Sequence, residues 1–238
     1  MSSGAKFIVA WAAAFAVFVV VSVLAGTHDT FPLDVWLAHR VQEIDSAAFA
    51  HALDWAEDSA DLPVVALMCG VTACLLLFVR DGLGALIIAV AVPGRVLTTW
   101  LLKEAIERPR PSADLLEFTS QPSTFSFPSG HAAAAFVLYG LIFYFAVVHL
   151  RSAIVRLAVQ AICVVLILGA GMERIYVGHH WPSDIVGGYW HGALIVSAAI
   201  AVHRLAPRLS LEVTSGHPLR LHVRRHSTDQ ALGHPRET

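Results

Sequence analysis

Six apolar runs divide the chain, at 7–25, 62–78, 82–102, 131–149, 153–172 and 184–203, and none shows the period-2 alternation of a membrane-barrel strand. Each has roughly the length of a bilayer-spanning helix, about 20 residues. In lipid every backbone N–H and C=O must be satisfied within the protein, so the runs predict six transmembrane helices, an all-α polytopic membrane bundle. Between the first two, Leu33, Trp36, Leu37, Val41 and Ile44 recur at helical spacing, and Phe49, Ala52, Leu53 and Ala56 do so after Asp45-Ser46. These predict two short interfacial helices that pack over the bundle. The chain shows no internal repeat and no long linker, which leaves one membrane domain, 1–204, and a polar cytoplasmic tail, 205–238.

Composition supports the membrane reading. Of 238 residues, 56% are hydrophobic and 14% charged, too little polar surface to cover a soluble globule. The first run is longer than a signal-peptide core and has only Lys6 in front of it, so it reads as an uncleaved anchor. Lys6, Arg80, Arg151, Arg156, Arg204 and Arg208 fall on one side of the six spans, whereas 26–61 is rich in Asp and Glu. The positive-inside rule then places both termini in the cytoplasm and the segments 103–130 and 173–183 on the outer face of the cell (inner) membrane. Cys69, Cys74 and Cys163 all lie in apolar runs and read as small core residues, with no disulfide or zinc spacing. The formal charge of −2 and the lack of a basic stripe with interleaved aromatics argue against a nucleic-acid partner. The tail, with Arg220, Arg224, Arg225 and scattered histidines, suits anionic headgroups better than a metal.

Three polar clusters share the outer side. Lys103 and Arg110 offer cations, and the prolines at 109 and 111 hold Arg110 on extended backbone beyond the third span. Arg108, taken alone, reads as a positively charged loop residue. Pro128-Ser129-Gly130-His131 precedes an Ala-rich helix, so Ser129 suits an N-cap, Gly130 permits close approach of backbone to ligand, and the free amides form an anion site. Arg174, His180 and Asp184 follow. A carboxylate on one imidazole nitrogen fixes the tautomer and frees the other as a nucleophile. His179 is a rival by adjacency, but spacing and the Asp184 partner favour His180. Several fixed donors around one point suit phosphoryl transfer, which spreads charge over the phosphoryl oxygens.

The ordered pattern K-x6-R-P, P-S-G-H and R-x5-H-x3-D resembles that of the type 2 phosphatidic acid phosphatase superfamily over a core of about 60–203. The resemblance implies that His180 attacks phosphorus to form a phosphohistidine, supported by Asp184, and that His131 protonates the leaving oxygen. Lys103, Arg110, Arg174, Ser129 and the Gly130 amide would hold the phosphoryl oxygens. No metal or other cofactor is required, and the sequence shows no carboxylate cluster of the kind magnesium prefers. A helix N-terminus disfavours a protonated histidine, so His131 is expected to draw on the negative charge of bound phosphate. Glu173 stands where the family commonly has serine, which puts one phosphate hydrogen bond in doubt.

Arg95 lies about 12 Å along the helix from Lys103 and is expected either to line a headgroup cavity or contact a second phosphate, or to serve in structural pairing. The implied partner is a lipid phosphate: undecaprenyl diphosphate leads, with phosphatidylglycerophosphate, phosphatidate and a lipid A or other lipid-linked saccharide phosphate as alternatives. Lipid-to-lipid phosphotransfer is a second enzymatic reading, and a lipid-binding or transport protein is the non-enzymatic one. A haloperoxidase is disfavoured by the membrane embedding. Oligomeric state is not legible.

Overall fold

The structure is a computed structural model that describes residues 3–118, 120–205, 209–212 and 220–223. Among the described residues, eight helices follow one another: α1 (Ser3–Thr27), α2 (Asp34–Gln42), α3 (Ala47–Asp58), α4 (Leu62–Phe78), α5 (Gly82–Ile106), α6 (Gly130–His149), α7 (Ala153–Tyr176) and α8 (Pro182–Leu205). The fold is all-α, as expected. Five helices, α1 and α5–α8, are long and apolar enough to cross a bilayer. The expected second span, α4, has 17 residues, or about 25 Å. It passes the same test only together with α3, from which it is bent by 60°.

Helix starts follow local chemistry. Ser46, Asp81, Ser129 and Ser152 cap α3, α5, α6 and α7, each accepting from a backbone amide three residues on. Pro63 lies in the first turn of α4, and Pro182 opens α8. Glu107, in the left-handed region at φ 52°, ends α5 ahead of Pro109.

Helix α6 is the centre of the bundle, packed against α5, α7 and α8. Its Ala132, Ala133, Ala134 and Ala135 are all buried, and such small residues let helix backbones approach closely where lipid provides no hydrophobic drive. The outer helices expose large apolar side chains such as Ile8, Phe78, Ile154 and Leu157, as a lipid-facing surface does. Cys163 is buried and Cys69 partly so, but Cys74, expected in the core, is exposed on α4.

Helices α2 and α3 are the two expected short helices, and both pack on α7. Beyond α8, strands β1 (Leu209–Glu212) and β2 (Arg220–Val223) pair antiparallel, where sequence suggested only a polar tail. Arg208, Arg224 and Arg225 of that tail lie outside the described residues.

Candidate active site

The three motif clusters meet at one end of the bundle, where α5 and α7 finish and α6 and α8 begin. Lys103, Arg110, Gly130, His131, Arg174 and His180, with Pro122, Thr124 and His179, line a cavity of about 190 Å³.

Local structure delivers each group. Lys103 sits in the last turn of α5, its ammonium donating to the carbonyls of Phe125 and, at 3.4 Å, Ser126. Arg110, beyond the end of α5, donates to the carbonyls of Thr124 at 2.7 Å and His179 at 2.6 Å. Its Nη1 lies 3.3 Å from His180 Nε2. Burial pushes the Arg110 guanidinium down to about 10, with Arg174 adding and Asp184 opposing, so it stays a cation at neutral pH. Ser129 caps α6 through the Ala132 amide, and its own N–H donates to the Asp184 carbonyl at 3.0 Å, which joins the entrances of α6 and α8. After α7, the chain turns at Gly178, φ 73°, and the amides of His179 and His180 both donate to the Arg174 carbonyl. A left-handed φ at this tight turn favours glycine.

His180 is 3% exposed. Its Nδ1 lies 3.4 Å from Asp184 Oδ2 and 3.3 Å from Ser126 Oγ, while Nε2 faces Arg110. Asp184 Oδ2 also accepts from the Ser126 hydroxyl and the Trp181 amide. Burial holds the His180 imidazole well below its ordinary range, and the nearby Arg110 and Lys103 add to this against the pull of Asp184. The ring is therefore neutral at physiological pH, as a nucleophile must be. His179 is also shifted down, by burial and then Arg174, and its Nδ1 lies 3.3 Å from Arg174 Nη1.

The structure also assembles groups that sequence reading missed. Arg108, read as a loop cation, is fully buried: its Nη1 lies 2.6 Å from Asp184 Oδ1 and its Nη2 2.9 Å from Asp34 Oδ2. Asp34 also accepts from the Ser183 hydroxyl and amide, so α2 is tied to the start of α8. The only sequence signals were the polar Asp34 opening an amphipathic helix and the second arginine of Arg108-Pro109-Arg110-Pro111. Arg174 is held by two carboxylates, Glu173 at its Nε and Glu57 at Nη2, 2.6 Å away. Glu173 thus turns its charge onto Arg174.

His131 Nε2 lies 3.4 Å from Asp61 Oδ1 and 3.6 Å from Glu57 Oε1. This corrects the expectation of no carboxylate cluster: Glu57, Asp61 and His131 bring one ligand atom each within 4.8 Å of one another, a grouping able to hold a metal ion. Arg95 is buried and is not among the residues lining the cavity; its Nη1 donates to the Gly130 carbonyl at 3.1 Å.

Known proteins are similar to this chain at two levels, fold and sequence. By fold, the chain is similar to the crystal structure of a transmembrane PAP2 type phosphatidylglycerolphosphate phosphatase from Bacillus subtilis, with a TM-score of 0.71 and 24% identity over 82% of this chain and 96% of that one. It is also similar to the structure of Aquifex aeolicus LpxE, with a TM-score of 0.57 and 22% identity over 73% of this chain and 98% of that one. By sequence, it is 38% identical over 113 residues to phosphatidylglycerophosphatase B of Bacillus subtilis (strain 168), which is 47% of this chain and 54% of that protein. The match thus spans about half the length of that curated relative. The model of the PAP2 superfamily matches residues 82–208, the stretch that carries all three motif clusters, and the chain belongs to that superfamily.

Proposed function

We propose that this protein is an integral-membrane lipid phosphatase that hydrolyses a phosphate ester or diphosphate through a phosphohistidine on His180. The observation that carries the reading is the His180 ring, tied at Nδ1 to Asp184 and presenting Nε2 to a cavity bounded by Lys103, Arg110 and Arg174. In the first step the Nε2 lone pair attacks phosphorus, the bond to the leaving oxygen breaks, and His131 supplies that oxygen with a proton. In the second step water attacks the phosphohistidine, the P–N bond breaks, and His131 takes the water's proton as orthophosphate leaves. The cations and the amides at the start of α6 hold the phosphoryl oxygens throughout, a role that needs no metal in the scheme.

The similarity to phosphatidylglycerophosphatase B moves phosphatidylglycerophosphate ahead of undecaprenyl diphosphate as the substrate. An outward-facing site follows from the basic residues of the opposite loops. The test is orthophosphate release by the detergent-purified protein, with EDTA, from phosphatidylglycerophosphate, undecaprenyl diphosphate and phosphatidate, with His180→Ala alongside. Release from one lipid that vanishes in the variant, together with an acid-labile phosphoryl label trapped on the wild type, supports the reading. A folded wild type that releases none, or His180→Ala with undiminished release, overturns it.

A further inference from the structure

Arg95 stands outside the cavity, yet a charge inside a membrane bundle is costly and calls for a reason. It lies on α5, about two turns deeper than Lys103, and is 8% exposed. Among the described residues its guanidinium makes a single hydrogen bond, from Nη1 to the Gly130 carbonyl at 3.1 Å, while Nε has no partner and no carboxylate pairs with it. A structural arginine of this fold looks different: Arg108, also buried, is held between Asp34 and Asp184. What Arg95 does touch is a peptide of the proposed phosphate site. Gly130 lines the cavity and opens α6. Helix carbonyls point away from the N-terminus and amides toward it, so the Gly130–His131 peptide turns its carbonyl inward to Arg95 and its N–H outward, to the end of the bundle where the cavity lies. Thr99, one turn along α5 from Arg95, packs on the same glycine: a Cβ there would lie 3.8 Å from Thr99 Cγ2. Because Ser129 takes up the Ala132 amide, the anion site at this entrance rests on the amides of Gly130 and His131.

We infer that Arg95 is a positioning residue for phosphoryl transfer: from behind the Gly130–His131 peptide it fixes the plane of that peptide and strengthens the His131 N–H as a donor to the phosphoryl oxygens. A cation on a carbonyl polarises the whole peptide unit, so the N–H on its far side binds a negative oxygen more tightly. The guanidinium stays charged, and inside the bundle its field is weakly screened. The call on that donor grows as charge builds on the phosphoryl oxygens, so Arg95 acts on the transition state more than on bound substrate. Its effect passes through the backbone, because Arg95 itself lines no part of the cavity. The fold gains little from it, since an arginine without a carboxylate bears the cost of burial with one hydrogen bond in return.

Arg95 has this role only if the phosphatase reading holds, and the test separates the two. Arg95→Met and Arg95→Lys are compared with wild type as full-length protein in detergent, on whichever of phosphatidylglycerophosphate, undecaprenyl diphosphate and phosphatidate the wild type hydrolyses fastest. The readouts are kcat, KM, the apparent melting temperature, and the inhibition constants of orthovanadate, which copies the trigonal-bipyramidal transition state, and of inorganic phosphate, which does not. Arg95→Met is expected to lower kcat about 10- to 100-fold, short of the loss when an oxyanion donor is removed outright, with KM little changed. The vanadate constant should rise by the same factor and the phosphate constant far less. Arg95→Lys, which keeps the charge, should recover most of both losses. Because no carboxylate is left unpaired, Arg95→Met should melt no lower than wild type. A variant that unfolds or melts markedly lower would assign Arg95 to holding α5 on α6 and overturn the inference. So would a fall in kcat with the vanadate constant unmoved, which a smaller active fraction gives, a wild-type kcat in Arg95→Met, or an Arg95→Lys no better than Arg95→Met. Each of these leaves the phosphatase reading intact, whereas a folded wild type that releases no phosphate from any of the three lipids overturns both.

Discussion

Arg108 and Asp184 form an ion pair, Nη1 to Oδ1 at 2.6 Å, in which neither side chain reaches solvent. The pair stands behind His180, and Asp34 completes it from the far side of the guanidinium. Asp184 is therefore held by more than the imidazole it orients, and the orientation of the proposed nucleophile depends on a residue outside the cavity.

Removing one partner of such a pair leaves an uncompensated buried charge. Arg108→Met is expected to destabilise the protein by about 3–5 kcal/mol and to lower activity without Arg108 touching substrate. The apparent melting temperature in detergent and kcat on the same preparation check this, and a variant of wild-type stability would refute it.

Asp184→Asn keeps the shape of the site but cannot support an imidazole that, in the proposed mechanism, gains charge on attacking phosphorus. We expect kcat to fall by about 10³–10⁴-fold, the scale seen when a carboxylate behind a catalytic histidine becomes an amide, with much less change in KM. Steady-state kinetics on the preferred lipid decide it.

His180 binds a proton less readily in the folded protein than in the unfolded chain, because burial disfavours the imidazolium. The unfolded state therefore takes up more protons as pH falls below about 6.5, and stability falls with it; above that value the contribution is fully present. His180→Gln removes the titrating group, so the loss of thermal stability between neutral and mildly acidic pH should be shallower in the variant than in wild type.

A Cβ on Gly188 would lie 2.6 Å from the Ser129 carbonyl oxygen and 2.9 Å from Ala132 Cβ. Gly188→Ala must push α8 away from the start of α6, which separates Ser129 and His131 from His180 and Asp184. A destabilisation of about 1–3 kcal/mol, the usual range for overpacking, and a large activity loss are expected. Full activity in the variant would show that the entrances of α6 and α8 are not rigidly coupled.

At the opposite end of the bundle, Asp81 caps α5 and also meets His149 Nε2 at 2.9 Å and His203 Nε2 at 3.0 Å. Burial works to raise the Asp81 carboxyl, but the Gly84 amide and the two imidazoles outweigh it and hold it below its usual range. Its contribution is thus present above about pH 4 and lost as pH falls further. Asp81→Ala should lower the melting temperature at neutral pH with KM unchanged, and the gap to wild type should close in acid.

The legible parts of this protein were those with local causes. Ser129 caps a helix because of the residues that follow within one turn, and His180 with Asp184 is a pair because a spacing of four places both at one helix entrance. The apolar runs foretold the helices to within a few residues, although α4 was not visibly bent on α3, since a run of hydropathy carries no direction.

What the sequence by itself determined was the membrane class, the order of the helices and the identity of the chemistry-bearing clusters, because hydropathy, capping and motif spacing all act over a turn or two of chain. Only the tertiary structure decided that Arg108 is buried between Asp34 and Asp184, 74 and 76 residues away in sequence, and that Glu57 and Asp61 face His131. A charge reads as a surface residue until a partner from another helix is brought to it. That partnership arises from the close packing of α6 against α8 and the folding of α2 and α3 onto α7, neither of which any local stretch of sequence encodes.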